Sequence, residues 1–316
     1  MTQNEAFVGI DVAKHELVIY LHPQGNSWRV ENTPTGRDKL VRRLRRLAAN
    51  HVLRIGFEAS GGYERKLAIL LERKRLAGYL LDPSRVHSFG RAEGKQAKTD
   101  PLDAALIARA LAALHGDLTP FRHDPVAERL TERVRLRELV LIQVGQFANQ
   151  LESMADPAMR QIVTAQVARL KALILRLEGI IAGLIASCPD LARREKLLRS
   201  APGVGPIVAA TLLAHMPELG SLSSRQVASL AGLAPFDRQS GTLRKPSRCQ
   251  GGRPAIRRAL YMAALSILRM KSPLANLGKR LKEQGKPAKV AIIATARKLL
   301  VALNAMIKQE VAFQPR

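Results

Sequence analysis

Four acidic residues in the N-terminal third of the chain have the spacing of a divalent-cation site. Asp11 lies inside the apolar run AFVGIDV, where a carboxylate is costly unless a cation compensates it. Glu58 ends another apolar run, directly before ASGG, and Asp100 and Asp103 lie one helical turn apart. Four carboxylates in one cleft repel one another, and a purely oxygen ligand set suits Mg²⁺ or Mn²⁺. Two such ions would clamp the attacking and leaving oxygens of a phosphodiester.

Each of these acids also has a structural interpretation. Asp100 fits a helix N-cap before Pro101, and Asp103 would then be a first-turn acid that the helix dipole favours. Glu58 fits a surface residue at the end of a strand. Asp11 is the hardest to explain in this way, because its neighbours in GIDVAK are apolar. Taken singly, the structural interpretations are at least as good; taken together, the four acids favour a metal site.

The elements that must position these acids follow a mixed α/β order. The patterns predict strands at 6–12, 17–21, 27–31, 52–57 and 78–81, and helices at 35–50, 63–75 and 100–114. A basic, glycine-containing stretch at 90–95 is expected to lead into the last of these helices. Three strands followed by alternating helix and strand is the order of an RNase-H-like domain. If its first and fourth strands are neighbours, Asp11 and Glu58 reach the same edge.

The rest of the chain is helical in pattern. Two long helices over 126–187, broken at Asp156-Pro157, are simplest as an antiparallel hairpin that serves as a structural or dimerising arm. The chain is therefore expected to divide into 1–120, 121–190 and 191–316. In the last part, Gly203 and Gly205 lie between two helical stretches, as in a helix-hairpin-helix turn that binds phosphate. Many turns of this composition bind no ligand.

The charge of the chain points to a polyanionic partner. The 316 residues include 51 Lys+Arg and 26 Asp+Glu, a net charge of +25, of which residues 191–316 carry +18. Acids are too scarce there for the cations to be mainly ion-pair partners, so phosphate neutralisation explains them better than a solvated surface does. Aromatic residues make up only 4%, and neither Trp28 nor Tyr63 is expected to form a stacking platform. We expect nucleic acid to be recognised by backbone and shape.

Composition also excludes several classes of protein. No apolar run reaches the ~18 residues of a membrane span, and the N-terminus has no signal-peptide pattern. Cys188 and Cys249 are the only cysteines, which excludes a disulfide scaffold and a multi-cysteine zinc site. The expected location is therefore the cytoplasm, without membrane contact.

The motifs GIDVAK, FEASGGYE and KTDPLDA resemble those of the DEDD-type insertion-sequence transposases, the RNA-guided recombinases that use a bridge RNA. The resemblance runs the length of the chain. It implies a RuvC-like, RNase-H-like domain with Asp11, Glu58, Asp100 and Asp103 as Mg²⁺ ligands, a coiled-coil arm and a C-terminal transposase domain. It also implies target and donor DNA and a noncoding bridge RNA as partners.

The resemblance extends to a serine in the basic C-terminal part. By composition alone, Ser240 in the segment RQSG is an ordinary polar turn residue. The family carries its serine nucleophile in such a QSG segment, which implies that Ser240 attacks DNA and forms a covalent phosphoserine link; Ser247 is the second candidate. Residues expected to bind the nucleic-acid backbone are Arg238, Arg244, Lys245, Arg248, Arg253, Arg257, Arg258, Gly203 and Gly205.

Two other functions stay open at this point. The carboxylates would equally serve a metal-dependent nuclease, such as a junction resolvase, whose nucleophile is water. A non-catalytic nucleic-acid-binding protein would need only the basic segment and the helical arm. For the transposase, the long helices and a site shared between domains favour a homodimer or a dimer of dimers.

Overall fold

The chain forms two compact units that meet in sequence between Asp124 and Pro125. The computed structural model describes residues 5–94, 100–240 and 243–314. For residues 100–101, 117, 236–240 and 243–247 it describes the backbone only. Each unit has its own apolar core.

The first unit is built on a five-stranded mixed sheet in the order β3-β2-β1-β4-β5. Strands β1 to β3 are antiparallel, whereas β4 and β5 run parallel to β1. These directions and this order are those of the RNase-H-like domain that the sequence pattern predicts. The strands are β1 (Glu5–Val12), β2 (Glu16–His22), β3 (Asn26–Glu31), β4 (Val52–Glu58) and β5 (Gly78–Leu81).

Four helices cover the two faces of this sheet, and one of them was not predicted. The helices are α1 (Pro34–Ala48), α2 (Arg65–Arg73), α3 (Pro83–Ala92) and α4 (Asp100–Leu114), with a 3-10 turn at His115–Asp117. Helix α3 begins at Pro83 because Asp82 caps its N-terminus and proline is favoured at the first helical position. Its last residues, 90–92, fall in the basic stretch expected to lead into α4. Helix α4 has the predicted bounds.

Alternate residues of β1 face different helices. Val8 and Ile10 pack in one cluster with residues of α1 and α2. Phe7 packs in another cluster with residues of α3 and α4. Because side chains alternate along a strand, Gly9 and Asp11 share the face of Phe7, towards α4.

Gly9 is the point where α4 touches the sheet. A Cβ at this position would overlap the backbone carbonyl oxygen of Ala104 and the amide nitrogen of Ala108. Only glycine lets the helix backbone approach the strand this closely. The contact therefore determines how near the first turns of α4 lie to the end of β1.

The second unit is mainly helical, as predicted, but it also contains a two-stranded antiparallel hairpin that was not predicted. The hairpin strands are short and rich in cations, without the alternation of apolar and polar residues that would have identified them. Its elements are α5 (Pro125–Ser153), α6 (Pro157–Ala186), α7 (Pro189–Arg199), α8 (Pro206–His215), α9 (Ser224–Leu230), β6 (Pro235–Ser240), β7 (Leu243–Cys249), α10 (Pro254–Leu268), α11 (Pro273–Glu283) and α12 (Ala288–Gln309).

Helices α5 and α6 pack side by side in opposite directions, and Arg137 of α5 forms a 2.7 Å ion pair with Glu178 of α6. Near their base, Leu130 and Val134 share a core with Ile181 and with the helices that follow residue 190. The shared core groups this helix pair with the rest of the second unit. The division into 1–120, 121–190 and 191–316 stays a prediction.

Helix α12 is long and apolar enough to cross a membrane by length and composition alone. Half of its apolar window is buried, and Leu299, Leu300 and Leu303 are fully buried in the core of the second unit. The helix thus serves as the central core helix of this unit, which accounts for its composition.

The Gly9 contact predicts a large effect of a single methyl group. Gly9→Ala should lower the free energy of unfolding by more than about 3 kcal/mol, because backbone rather than a flexible side chain must move. The measurement is urea unfolding of purified protein. The matched control is Gly179→Ala, where nothing in the described structure lies within 4 Å of the added carbon. The control should raise stability by roughly 0.5–1 kcal/mol, and similar effects of both changes would contradict the assignment.

Candidate active site

Three acidic residues lie at the carboxyl ends of neighbouring parallel strands. Ile10 of β1 is paired with Phe57 of β4, so Asp11 and Glu58, the next residues, are adjacent across the sheet. Glu58 is paired with Leu81 of β5, and Asp82 follows directly. Clefts at the carboxyl ends of parallel strands are common ligand sites.

Helix α4 brings a further acid to the same edge. Asp103 precedes Ala104, whose carbonyl lies against Gly9, two residues before Asp11. The Asp103 side chain is half-buried and acts electrostatically on Glu58. The predicted group of Asp11, Glu58 and Asp103 is therefore brought together from three elements. Asp100 begins α4 one turn earlier, and its side chain lies outside the described part of the structure.

The surroundings of Glu58 disfavour the charged form of its carboxyl group. Burial raises its pKa most, and the nearby charges of Asp11, Asp103 and Asp82 raise it further, to about 7. A raised pKa in a cleft marks a place where negative charge is insufficiently compensated.

A divalent cation at this edge would offset the repulsion between the charged carboxylates. Among the residues whose side chains are described, no three of His, Cys, Asp or Glu already surround a common point that could hold an ion. The mutual repulsion of charged carboxylates favours a cation between them. The donor atoms offered by Asp11, Glu58 and Asp103 are all oxygens, so the residues fit Mg²⁺ or Mn²⁺.

Asp82 is an acid of this edge that the sequence analysis missed. Its Oδ1 accepts hydrogen bonds from the amides of Ser84 (2.8 Å) and Arg85 (3.3 Å) and from the Ser84 hydroxyl. Burial alone would raise the pKa of Asp82, but these hydrogen bonds and the charge of Arg85 outweigh it and lower the pKa. Asp82 thus stays charged beside Glu58. The sequence did contain a signal for Asp82, because this acid directly follows the predicted strand at 78–81, as Glu58 ends the strand beside it.

Ser240 belongs to the second unit, at the tip of the β6–β7 hairpin. It is the last residue of β6 and pairs with Leu243 across the turn. Arg238 pairs with Lys245, and Gln239 pairs with Arg244, so the backbone places three predicted cations around this serine. The side chains of these residues and of Ser247 lie outside the described part, and their roles stay predictions.

The remaining predicted cations divide into internal and exposed groups. Arg253 donates to both carboxylate oxygens of Glu218 (2.6 and 2.8 Å) and to the carbonyl of His215, so its guanidinium already fastens the start of α10. Arg257 donates to the Gly251 carbonyl at 2.7 Å. Arg248 is exposed, and the Arg258 side chain is 61% exposed, 3.7 Å from Glu138.

The arginines near the start of α10 affect the protonation of His215. Burial lowers the pKa of His215 most, and the charges of Arg135, Arg253 and Arg258 lower it further, to about 4. Burial and the three guanidinium charges both favour the neutral imidazole, and the contribution of the charges reflects a local excess of positive charge. Such an excess suits a phosphate backbone.

The predicted glycine turn joins α7 to α8. Gly203 has φ of 76°, and a Cβ there would lie 2.7 Å from the carbonyl oxygen of Ala263. Close packing against α10 is therefore enough to require this glycine. Gly205 is the exposed N-cap of α8. A phosphate contact at either glycine stays a prediction.

Glu58 should make the stability of the protein depend on pH. Between the ordinary pKa of 4.5 and about 7, the folded state holds a proton on Glu58 that the unfolded state has lost. Stability should therefore fall as pH rises through this window and stay lower above it. In buffer without divalent cations, Glu58→Gln should raise the free energy of unfolding by roughly 1 kcal/mol at about pH 8, because partial exposure screens the repulsion, and should change it little at about pH 4. An equal effect of the substitution at both pH values would contradict the raised pKa.

Comparison with known proteins assigns the chain to a class. Residues 8–159 match the family model for DEDD transposases of the IS110 type, described as Transposase, and residues 195–279 match the model described as Transposase IS116/IS110/IS902 family. A pilin gene-inverting protein of Moraxella lacunata is 28% identical over 323 residues, which is 99% of each chain.

Two further proteins are similar to only part of this chain. A 42 kDa protein of insertion element IS900 from Mycobacterium paratuberculosis is 30% identical over 192 residues, 58% of this chain and 47% of that protein. The solved structure of T. thermophilus RuvC with a Holliday junction substrate is 13% identical and covers 37% of this chain and 100% of that chain. The TM-score of this comparison is 0.30. The two family models and the relative aligned over 99% of both chains make this chain similar to DEDD-type insertion-sequence transposases of the IS110 family, and they identify it as an enzyme of the DNA transposase and recombinase class.

Proposed function

We propose that this transposase catalyses RNA-guided cleavage and strand exchange of an insertion sequence, with a carboxylate site in the first unit and a serine nucleophile in the second. The observation that carries the proposal is the group of Asp11, Glu58 and Asp103, which three separate elements bring to one sheet edge. A group of mutually repelling acids at this position is suited to binding the metal ions used in phosphodiester chemistry.

The proposed metal ligands are Asp11, Glu58, Asp100 and Asp103, with Mg²⁺ or Mn²⁺ as the ion. When bound, such ions supply Lewis-acid activation of the scissile phosphate. The protein's own contribution is to hold the carboxylates on rigid elements, β1, β4 and α4, so that the phosphate is oriented before the nucleophile arrives.

In the proposed reaction, Ser240 Oγ forms a bond to phosphorus while the bond from phosphorus to a sugar oxygen breaks. The serine loses its proton to a base or water, and the released sugar oxygen takes up a proton. A hydroxyl of a second DNA strand then attacks the phosphoserine, which restores the serine and joins the strands. The phosphoserine ester retains the bond energy of the broken phosphodiester, so strand exchange needs no external energy source.

The proposed partners are target and donor DNA and a bridge RNA. The charge of +18 in residues 191–316 supports binding of phosphate backbones, which leaves the reading of bases to pairing with the RNA. The exposed Arg248 and Arg258 are the first candidates for these contacts, whereas Arg253 is occupied by Glu218.

The proposed assembly is a homodimer or a dimer of dimers in the cytoplasm, with the serine supplied to the carboxylate site from the same or another subunit. Exchange between two DNA sites requires more than one active site, which supports an oligomer. The similarity along the whole chain to a pilin gene-inverting protein supports recombination of DNA rather than simple degradation. A coiled-coil role for α5 and α6 in this assembly is part of the proposal.

The alternative mechanism is a metal-dependent nuclease, such as a junction resolvase, that uses water as the nucleophile. It shares the carboxylate site and differs only in the need for Ser240. The two mechanisms therefore separate on the formation of a covalent bond between protein and DNA.

Trapping of protein–DNA adducts tests the nucleophile. Wild-type protein incubated with its insertion-sequence ends, target DNA and Mg²⁺ should give an adduct that survives denaturation, and Ser240→Ala should abolish it. The matched control is Ser247→Ala, which removes a hydroxyl from the same hairpin and should leave the adduct. Asp11→Ala should also abolish the adduct, because the phosphate is no longer activated. Adduct that persists in Ser240→Ala would refute the assignment, and product without any adduct would favour the water mechanism.

Sequencing of co-purified nucleic acid tests the guide. Protein purified from its native cells at low salt should carry one discrete noncoding RNA transcribed beside its gene. Charge reversal at the exposed Arg258 should reduce the RNA yield and the steepness of its salt dependence, since each lost phosphate contact lowers that slope by about 1. Recovery of only random cellular RNA would contradict the bridge-RNA part of the proposal.

A further inference from the structure

A short loop, residues 59–64, leads from Glu58 to α2 and is held in one conformation by its own last residue. The carboxylate of Glu64 accepts hydrogen bonds from the amides of Ser60 (3.0 Å) and Gly62 (2.9 Å) and from the Ser60 hydroxyl (3.0 Å). This cluster also explains why α2 begins at Arg65 rather than at the predicted residue 63. The loop is thus a fixed extension of the carboxylate edge.

The outer side of the loop is open. Gly61 and Gly62 have φ of 73° and 105°, a conformation that favours glycine. No described atom lies within 4 Å of a Cβ built on either residue. The backbone here is therefore accessible to a ligand rather than packed against the protein.

The next residue places an aromatic ring at this open edge. Tyr63 is 47% exposed, and it is the only largely exposed aromatic residue among the side chains that the structure describes. By contrast, the Trp28 ring is covered by Arg43, whose guanidinium carbon lies 3.8 Å from the ring centroid. An exposed ring beside a nucleic-acid cleavage site is available for stacking on a base.

Cationic side chains follow the ring at once. Arg65 and Lys66, the first residues of α2, are exposed on the same end of the helix. The carboxylate of Glu64 between the ring and these cations is directed into the loop by its hydrogen bonds. An aromatic ring next to cations is the combination that binds single-stranded nucleic acid, with the ring taking a base and the cations taking phosphates.

We infer that Tyr63 stacks on an unpaired base of the nucleic-acid strand that passes the carboxylate edge, while Lys66 contacts that strand's phosphates. The inference rests on the proposed function only in requiring that a strand pass Glu58. Because every base has a π-face, the contact tolerates any sequence. Its role is to hold the strand next to the scissile phosphate, locally out of the duplex stack.

Photocrosslinking tests the contact directly. Full-length protein is irradiated with a single-stranded, mixed-sequence DNA oligonucleotide that carries iododeoxyuridine, and tryptic peptides are analysed by mass spectrometry. The expected adduct lies on the peptide 55–65, whose other aromatic residue, Phe57, is completely buried. Tyr63→Phe should keep the adduct, and Tyr63→Ala should reduce its yield about tenfold or more.

The matched control is Leu80→Ala, which removes an exposed apolar side chain (41% exposed) from the same unit and should leave the yield unchanged. An unchanged yield in Tyr63→Ala, or adducts confined to residues 191–316, would overturn the inference. Equal yields with a fully paired duplex would refute the requirement for an unpaired base. The reaction needs no divalent ion and no cleavage, so failure of the Ser240 mechanism would leave this result intact.

Discussion

The close approach of α4 to β1 at Gly9 is the contact on which the carboxylate site depends. A helix normally rests on a sheet through its side chains, but here the backbone of Ala104 and Ala108 reaches the strand itself because Gly9 has no side chain. The approach brings the first turns of α4, with Asp103, to the end of the strand that carries Asp11. A methyl group at Gly9 would push this end of α4 away from the sheet and separate acids that lie more than ninety residues apart in sequence.

The arrangement has an electrostatic cost, which appears in the raised pKa of Glu58. Glu58 lies among Asp11, Asp103 and Asp82, and its pKa of about 7 reflects both burial and these three charges. Asp82 contributes because its own hydrogen bonds, made in capping α3, keep it ionised. The same capping interaction that starts a helix therefore adds to the negative charge of the edge. This charge balance supports the proposed divalent-cation site. The loop that contains Tyr63 extends from the same strand end.

The second unit contains most of the net positive charge of the chain, +18 of +25 in residues 191–316, and some of its cations have structural roles. Arg253 is committed to Glu218 and the end of α8, so a residue that looks like a phosphate ligand in the sequence is a structural one. Gly203 likewise has a packing role against α10. Arg248 and Arg258 stay exposed, and the net charge of residues 191–316 supports the proposed division of roles between a unit that holds the carboxylates and a unit that binds phosphates.

Local chemistry in the sequence was enough to predict the strands of the first unit, the bounds of α4 and the two long helices, because apolar periodicity is a local property. It also singled out Asp11, Glu58 and Asp103, which the fold brings close together, and their role as metal ligands stays a prediction. Helix α3 escaped prediction because it is short and has only two large apolar residues, Val86 and Phe89. The β6–β7 hairpin escaped prediction because its strands lack an alternation of apolar and polar residues. The ion pair of Arg253 with Glu218 and the exposure of Tyr63 were decided by the tertiary structure alone, whereas the position of Asp82 after a predicted strand was a sequence signal that was not used. The ion pair and the exposure each depend on which distant residue lies nearby, and a residue's type and spacing carry no information about that neighbour.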